Sequence, residues 1–258
     1  MSGHRRIKRN SRFILLAAVL LFSVGIVWSQ AEDQAREGET APISRQAILA
    51  GVSGDVQVRT EGQWRPAADG MTLKEQDQIK TGGDGNVIVV LDRQSGGDRL
   101  KVGKESLVSL NLLQQGPKSA TATQLDLAFG KVLVHVGKLK ESSRFEVKTP
   151  TATTGVRGTS FGVLYESKVK TTDLEVYEDG PVLFESRVIK RVGQKPAYVD
   201  AGRRLSVPSH RDPRQVPIKL IPRAQLDAAL KEILQVQQTP VPSRVKVNGV
   251  YEGVPDGK

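Results

Sequence analysis

The sequence predicts an all-β domain, a jelly-roll-like sandwich or a β-roll, preceded by an N-terminal export or membrane segment and followed by one C-terminal helix. Three observations carry this. First, inward positions alternate with polar ones over short runs, as at Val52, Gly54, Val56 and Val58 and again at Val87, Val89 and Leu91, which is the period of a strand with one face buried. Second, glycine-rich stretches, Thr81-Gly82-Gly83-Asp84-Gly85 and Ser95-Gly96-Gly97-Asp98, punctuate these runs, and glycine tolerates the positive φ of tight reversals. Third, short candidate strands recur at near-regular spacing from residue 48 to residue 207 without a helical period among them, the pattern of sandwiches and rolls.

The N-terminus comes first in the chain. Arg5, Arg6, Lys8, Arg9 and Arg12 precede a sixteen-residue uncharged run from Phe13 to Trp28, and a basic flank before an apolar stretch is an export signal. Ser29-Gln30-Ala31 places small residues as a signal peptidase requires, so residues 1–31 read as a cleaved signal peptide or a retained anchor. Either way the remainder is expected outside the cytoplasm, periplasmic or otherwise extracytoplasmic. Of the net charge of +10, five charges lie in this segment, leaving 10 minus 5, or +5, for the rest. Residues 32–47 read as a linker.

The folded part is expected over 48–207. A chain of 258 residues with 38% hydrophobic and 26% charged residues accommodates one well-buried domain plus extensions, or two small domains. Aromatics at 5% are too few to suggest a large cofactor pocket, and no cysteine is present, which excludes disulfides, thiolate catalysis and Cys-ligated metal. Leu107 to Leu113 is a further strand. Leu125, Leu127 and Phe129 are odd-numbered and Val132, Val134 and Val136 even-numbered, so a bulge or corner is expected at Gly130-Lys131. Strands follow at Phe145–Lys148, Phe161–Tyr165, Leu174–Tyr177 and Val182–Phe184, the last two joined by Glu178-Asp179-Gly180-Pro181, which reads as a hairpin turn. Tyr198–Val199 and Leu205–Val207 close the series.

Residues 208–258 form a Pro-rich basic extension. Pro208, Pro213, Pro217 and Pro222 break any sheet interior, and the basic residues of 203–223 suit either a solvated linker or contact with anionic lipid or wall polymer. Leu226, Ala229, Leu230, Ile233 and Val236 share one face of a helix near 223–238, to be packed on the β-domain or on a partner. Arg244–Val247 is one more possible strand, turning at Asn248-Gly249 into Val250-Tyr251.

The most distinctive stretch is Thr149-Pro150-Thr151-Ala152-Thr153-Thr154-Gly155-Val156-Arg157-Gly158-Thr159-Ser160-Phe161. Proline stops a strand, small residues cross the sheet end, and Gly155 and Gly158 permit a sharp turn or a close approach. This stretch resembles the T-P-x-A-x-x-G-V-R-G-T-x-F signature of the FecR (ferric-citrate regulator) family. Gly54-Asp55-Val56, Trp64-Arg65-Pro66, Gly70-Met71-Thr72-Leu73, Asp77-Gln78-Ile79-Lys80-Thr81-Gly82 and then Leu127, Gly130, Lys131 and Val132 upstream, with Ala201-Gly202 downstream, follow the same family order. The resemblance implies a periplasmic all-β domain of a family whose best-known members pass a signal from an outer-membrane transporter to a cytoplasmic sigma factor. It also implies a cytoplasmic sigma-binding domain before the membrane segment. Only about 12 residues stand there, so a stand-alone periplasmic domain without that module is expected.

The candidate interaction residues are Arg157, Gly155, Gly158 and Trp64. Arg157 reads as a ligand contact or as a clamp on loop carbonyls, and Trp64 as a stacking surface or as partly buried core. His135, between two inward valines, reads as a surface residue. His4, His135 and His210 have no ligand spacing, so neither metal nor other cofactor is expected. No Gly-x-Ser-x-Gly elbow marks a nucleophile, and the expectation is a non-enzyme. The basic segment has no interleaved aromatics, which argues against nucleic acid. An envelope protein is the expected partner, through a sheet edge, the 149–160 loop or the helix. Cell-wall glycan, stacking on Trp64, Tyr165 or Tyr198, is the alternative.

Overall fold

The computed structural model describes residues 41–91, 97–189, 195–242, 244–247 and 250–253. The export segment, the linker up to residue 40, and Ser95 and Gly96 of the second glycine-rich turn lie outside the described residues. The chain divides into Met1–Ala41 and Pro42–Lys258, and every described strand belongs to the second unit.

The first half of that unit runs β1 (Ile43–Ser44), β2 (Ala47–Ser53), β3 (Val56–Thr60), β4 (Gln63–Pro66), β5 (Thr72–Leu73), β6 (Gln78–Thr81), β7 (Asn86–Val90), β8 (Arg99–Val102) and β9 (Leu107–Gln115). A long strand, β10 (Thr121–Val136), leads to β11 (Arg144–Lys148), β12 (Ala152–Val156), β13 (Thr159–Glu166), β14 (Thr171–Asp179), β15 (Val182–Ser186), β16 (Ala197–Val199), β17 (Arg203–Pro208) and β18 (Lys219–Leu220). Helix α1 (Arg223–Gln238) and a hairpin of β19 (Arg244–Val247) and β20 (Val250–Gly253) complete it.

Ladder by ladder, these strands form two sheets that share β10 and do not return to their starting strand. The first has the order β4-β3-β6-β9-β10-β11-β12-β15-β16, with β1 on the end of β9. The second has the order β5-β2-β7-β8-β10-β13-β14-β17-β18. The change of sheet falls at Gly130. Residues 121–129 pair with β9, and residues 130–136 pair with β13. Gly130 has φ +92°, and a Cβ there would stand 2.1 Å from Ser106 Oγ. That hydroxyl accepts from Lys131 N at 3.0 Å. The corner therefore keeps Leu125 and Leu127 before it, and Val132 and Val134 after it, in one core.

That core fills the space between the sheets with inward residues of both, Val58, Ile79, Leu110 and Phe145 from the first and Leu49, Leu100, Phe161 and Leu174 from the second. A second apolar cluster lies on the outer face of the second sheet. Ile48, Ala50, Ile88, Val90 and Leu133 meet Ile233 and Val236 of α1 there, which explains why β2 and β7 read as apolar runs rather than strict alternations. The predicted stripe is the docking face, and the partner it meets is the β-domain itself. Arg99, buried on the same face, donates to the carbonyls of Val236 at 3.1 Å and of Thr239, satisfying two carbonyls at the open C-terminal end of the helix.

Four expectations are corrected. Val52–Val58 is not one strand: β2 ends at Ser53 and β3 begins at Val56 in the other sheet, with Gly54 at φ +70° between them. Glu178-Asp179-Gly180-Pro181 does not close a hairpin: β14 pairs with β13 and β17, and β15 with β12 and β16, so the turn carries the chain from one sheet to the other. The 149–160 stretch is not a loop crossing the sheet end, because Ala152–Val156 is a strand paired on both sides. Tyr165 points into the core and is unavailable for stacking.

Candidate functional site

The four residues singled out from the sequence do not form one site. Trp64 pairs with Arg59, and Gly155 with Glu146 and Leu183. Both lie on the outer face of the first sheet, six strand steps apart, or about 29 Å at 4.8 Å per step. Trp64 is 42% exposed on an edge strand, more open than a partly buried core residue. Gly155 sits in regular strand, where a Cβ would meet nothing closer than Leu183 Cδ2 at 3.8 Å. Gly158 does fulfil the expected close approach, with φ +117° and a Cβ position 3.0 Å from the Gly137 carbonyl oxygen. Arg157, at the turn from β12 to β13, is exposed. It clamps no carbonyl and makes no ion pair among the described residues.

His135 is not simply a surface residue either. It lies on the outer face of the second sheet beside the end of α1, between Ser160 and Gln237. The Ser160 hydroxyl donates to Glu178 at 3.0 Å, His135 Nδ1 lies 2.9 Å from Ser160 Oγ, and Gln237 Nε2 lies 2.9 Å from Nδ1 and 3.1 Å from Nε2 of the ring. Ser160 is buried with its oxygen held between the two. The arrangement ties helix to sheet.

A cleft of about 700 Å³ lies on the outer face of the second sheet, beside the N-terminal turn of α1. Strand register explains its floor. One row across the sheet is Leu133, Gly162, Glu175, Arg204 and Lys219, and the next is Lys131, Leu164, Asp173 and Ser206. Chain 208–217 forms the wall, with His210, Arg211, Gln215, Val216 and Pro217 lining it. This wall is pinned. Ser209 N donates to Lys170 O at 2.9 Å, and the buried Asp212 accepts from Arg214 N at 3.0 Å and from its guanidinium at 3.2 and 2.8 Å. The basic stretch 203–223 thus supplies strands and a cleft wall.

The two carboxylates of the floor differ. Glu175 is satisfied: it accepts from Tyr177 Oη at 2.8 Å and from Gln225 Nε2, with Lys131 Nζ at 3.9 Å. Asp173 accepts from Ser206 but has a buried oxygen, Oδ1, with no donor. Burial holds its carboxyl above the usual carboxylate range, Ser206 and Arg204 pull it down, and Glu166 and Glu175 add to the rise. Among the described residues the side chains of Arg204, Arg211 and Lys219 have no hydrogen bond and no ion pair. Four cations, with Lys131, face two carboxylates.

Sequence reasoning missed this cleft for a physical reason. Asp173 and Glu175 flank Leu174, and Arg204 and Ser206 flank Leu205, which is the ordinary solvent face of a half-buried strand. Nothing periodic in 208–217 shows that it folds beside that face. No group of His, Asp and Glu among the described residues is placed to hold a metal ion.

The fold and cleft define an all-β domain with an external helix and an open, charged surface. Residues 77–180 match the family model described as FecR protein. The match runs from the residue before β6 to the turn after β14, and includes the Thr149–Phe161 signature. Two crystal structures of a candidate anti-sigma factor from Parabacteroides distasonis are similar to the chain. One aligns at 15% identity over 59% of this chain and 64% of that one, with a TM-score of 0.45. The other aligns at 16% identity over 60% of each, with a TM-score of 0.35. The alignment thus spans less than two thirds of either solved chain. No curated protein matches. No helix among the described residues is long and apolar enough to cross a membrane, and residues 13–28 lie outside them.

Proposed function

We propose that the protein is a non-enzymatic signalling or scaffolding module of the cell envelope, exported by residues 1–31 or held there by residues 13–28, and that it works by binding another protein. The observation that carries this reading is the free edge of the second sheet. Strand β18 pairs only with β17 among the described residues, and it presents Leu220, 71% exposed, with Ile218 beside it. An unpaired edge with exposed apolar side chains is a site for a protein partner. The FecR-family match supports the same class, a family of envelope signal transducers.

The glycan alternative draws on Trp64 and on Tyr198, 56% exposed. These stand on opposite edge strands of the first sheet, about 38 Å apart at 4.8 Å per strand step, and no aromatic residue lines the cleft. Coplanar stacking rings over a groove are therefore missing from the described surface. The non-enzymatic reading is supported by Ser160, the hydroxyl nearest a histidine, being buried and committed to Glu178.

The test is crosslinking of the full chain in intact cells followed by purification, with wild type beside Ile218→Asp/Leu220→Asp. The wild type is expected to recover a defined envelope protein, and the double variant to lose about tenfold of that recovery if these residues anchor the contact. Recovery of polysaccharide alone contradicts the reading.

A further inference from the structure

We infer that the cleft between α1 and chain 208–217 receives an acidic peptide segment of the partner protein, its carboxylates against Arg204, Lys219 and Arg211. The inference rests on the protein-binding reading above and names the chemistry of that contact.

Charge is the first reason. Glu175 faces the cleft but is already held by Tyr177, Gln225 and Lys131, so it leaves the neighbouring cations unneutralised. Arg204 and Arg211 carry guanidinium forks, which bind carboxylates in two parallel hydrogen bonds. Lys219 is the register neighbour of Arg204 on the edge strand. A carboxylate laid across that pair meets two cations that make no hydrogen bond or ion pair among the described residues.

The mixed charge of the floor separates a peptide from a plain polyanion: Asp173 and Glu175 line the cleft beside the cations and repel a dense anion such as phosphate or sulfate. A peptide brings carboxylates and N–H donors together. Leu164, Pro208, Val216 and Pro217 give an apolar lining for its aliphatic parts, and the volume of about 700 Å³ is within the usual range of ligand sites. Continuity with β18 is the last reason. Lys219 belongs both to the cleft and to the free edge, so an extended segment leaving the cleft reaches backbone groups with which it can pair.

The experiment is a titration of the isotope-labelled full chain in detergent, read by amide chemical shifts. The probes are a short capped peptide alternating Glu and Ala, its Gln-for-Glu counterpart, digalacturonate and inorganic phosphate. The acidic peptide is expected to shift Gly162, Asp173, Arg204 and Lys219 saturably, and the Gln peptide is not. Charge reversal at Lys219→Glu or Arg211→Glu, both exposed positions, is expected to weaken binding by about tenfold each while thermal unfolding stays unchanged. Equal response to the Gln peptide, full binding by both variants, or binding of digalacturonate or phosphate without the peptide overturns the inference. Crosslinking separates the two levels: a partner still captured in full by Lys219→Glu/Arg211→Glu sinks the cleft assignment alone, whereas a wild type that captures no protein sinks the protein-binding reading.

Discussion

The phenol oxygen of Tyr177 lies over Gly162, 2.6 Å from where a Cβ on that glycine would stand. The contact exists because the ladder between β13 and β14 slips there: Ser160 pairs with Glu178 and Phe161 with Val176. Tyr177 is the extra residue. It turns outward with its ring against α1 and its hydroxyl on Glu175, so one glycine links the core, the helix and the cleft floor.

Gly162→Ala forces the tyrosine to move. Overpacking of this kind costs about 1–3 kcal/mol, to be measured by denaturant unfolding. The same variant frees Glu175 from the Tyr177 hydroxyl and is expected to weaken the acidic-peptide probe, a loss readable in the same titration.

Tyr177 also sets an alkaline limit on stability. Burial first, then the charge of Glu175, the hydrogen bond to Glu175 and the charge of Glu232, push its phenol far above the usual value of 10.0. The folded chain therefore keeps a proton that the unfolded chain releases. Above about pH 10 the folded state binds more protons than the unfolded one, and stability falls by up to about 1.4 kcal/mol per pH unit. Melting temperature followed from about pH 8 to about pH 11 is expected to drop more steeply for wild type than for Tyr177→Phe.

Asp173 acts in the opposite pH range. Its raised pKa means the folded state holds the proton more tightly than the unfolded chain does, so its contribution worsens as pH rises through the ordinary carboxylate value towards the folded one. Asp173→Asn is expected to raise the melting temperature by about 2–4 °C at neutral pH, with the gain vanishing in acid.

The signature glycines look alike in the sequence and differ in the fold. Gly158 has positive φ and a backbone oxygen within 3.0 Å of its Cβ position, so Gly158→Ala is expected to cost about 1–3 kcal/mol. Gly155 is ordinary strand with open space on the sheet face, so Gly155→Ala is expected to stay within about 0.5 kcal/mol. Thermal unfolding of the two variants side by side checks the contrast.

The same pair shows what was legible beforehand. Period and phase read the strands, the corner at Gly130 and the span of α1, because each depends on neighbours a few residues away. Whether Glu178–Pro181 closes a hairpin or changes sheets depends on which strands lie beside β14 and β15, and no local pattern records that. Trp64, Gly155 and Arg157 stood out by residue type, yet the register spreads them across one sheet and a turn. Asp173, Arg204 and Lys219 became a cleft only when residues 208–217 closed one side and α1 the other.

Placement of a photo-crosslinking amino acid at position 220, and separately at position 64, in the full chain in living cells tests the central claim most directly. A discrete protein adduct from position 220, absent from position 64 and lost with Lys219→Glu/Arg211→Glu, is the predicted result. Adducts at position 64 with none at position 220 would contradict it and place the working surface on the opposite sheet.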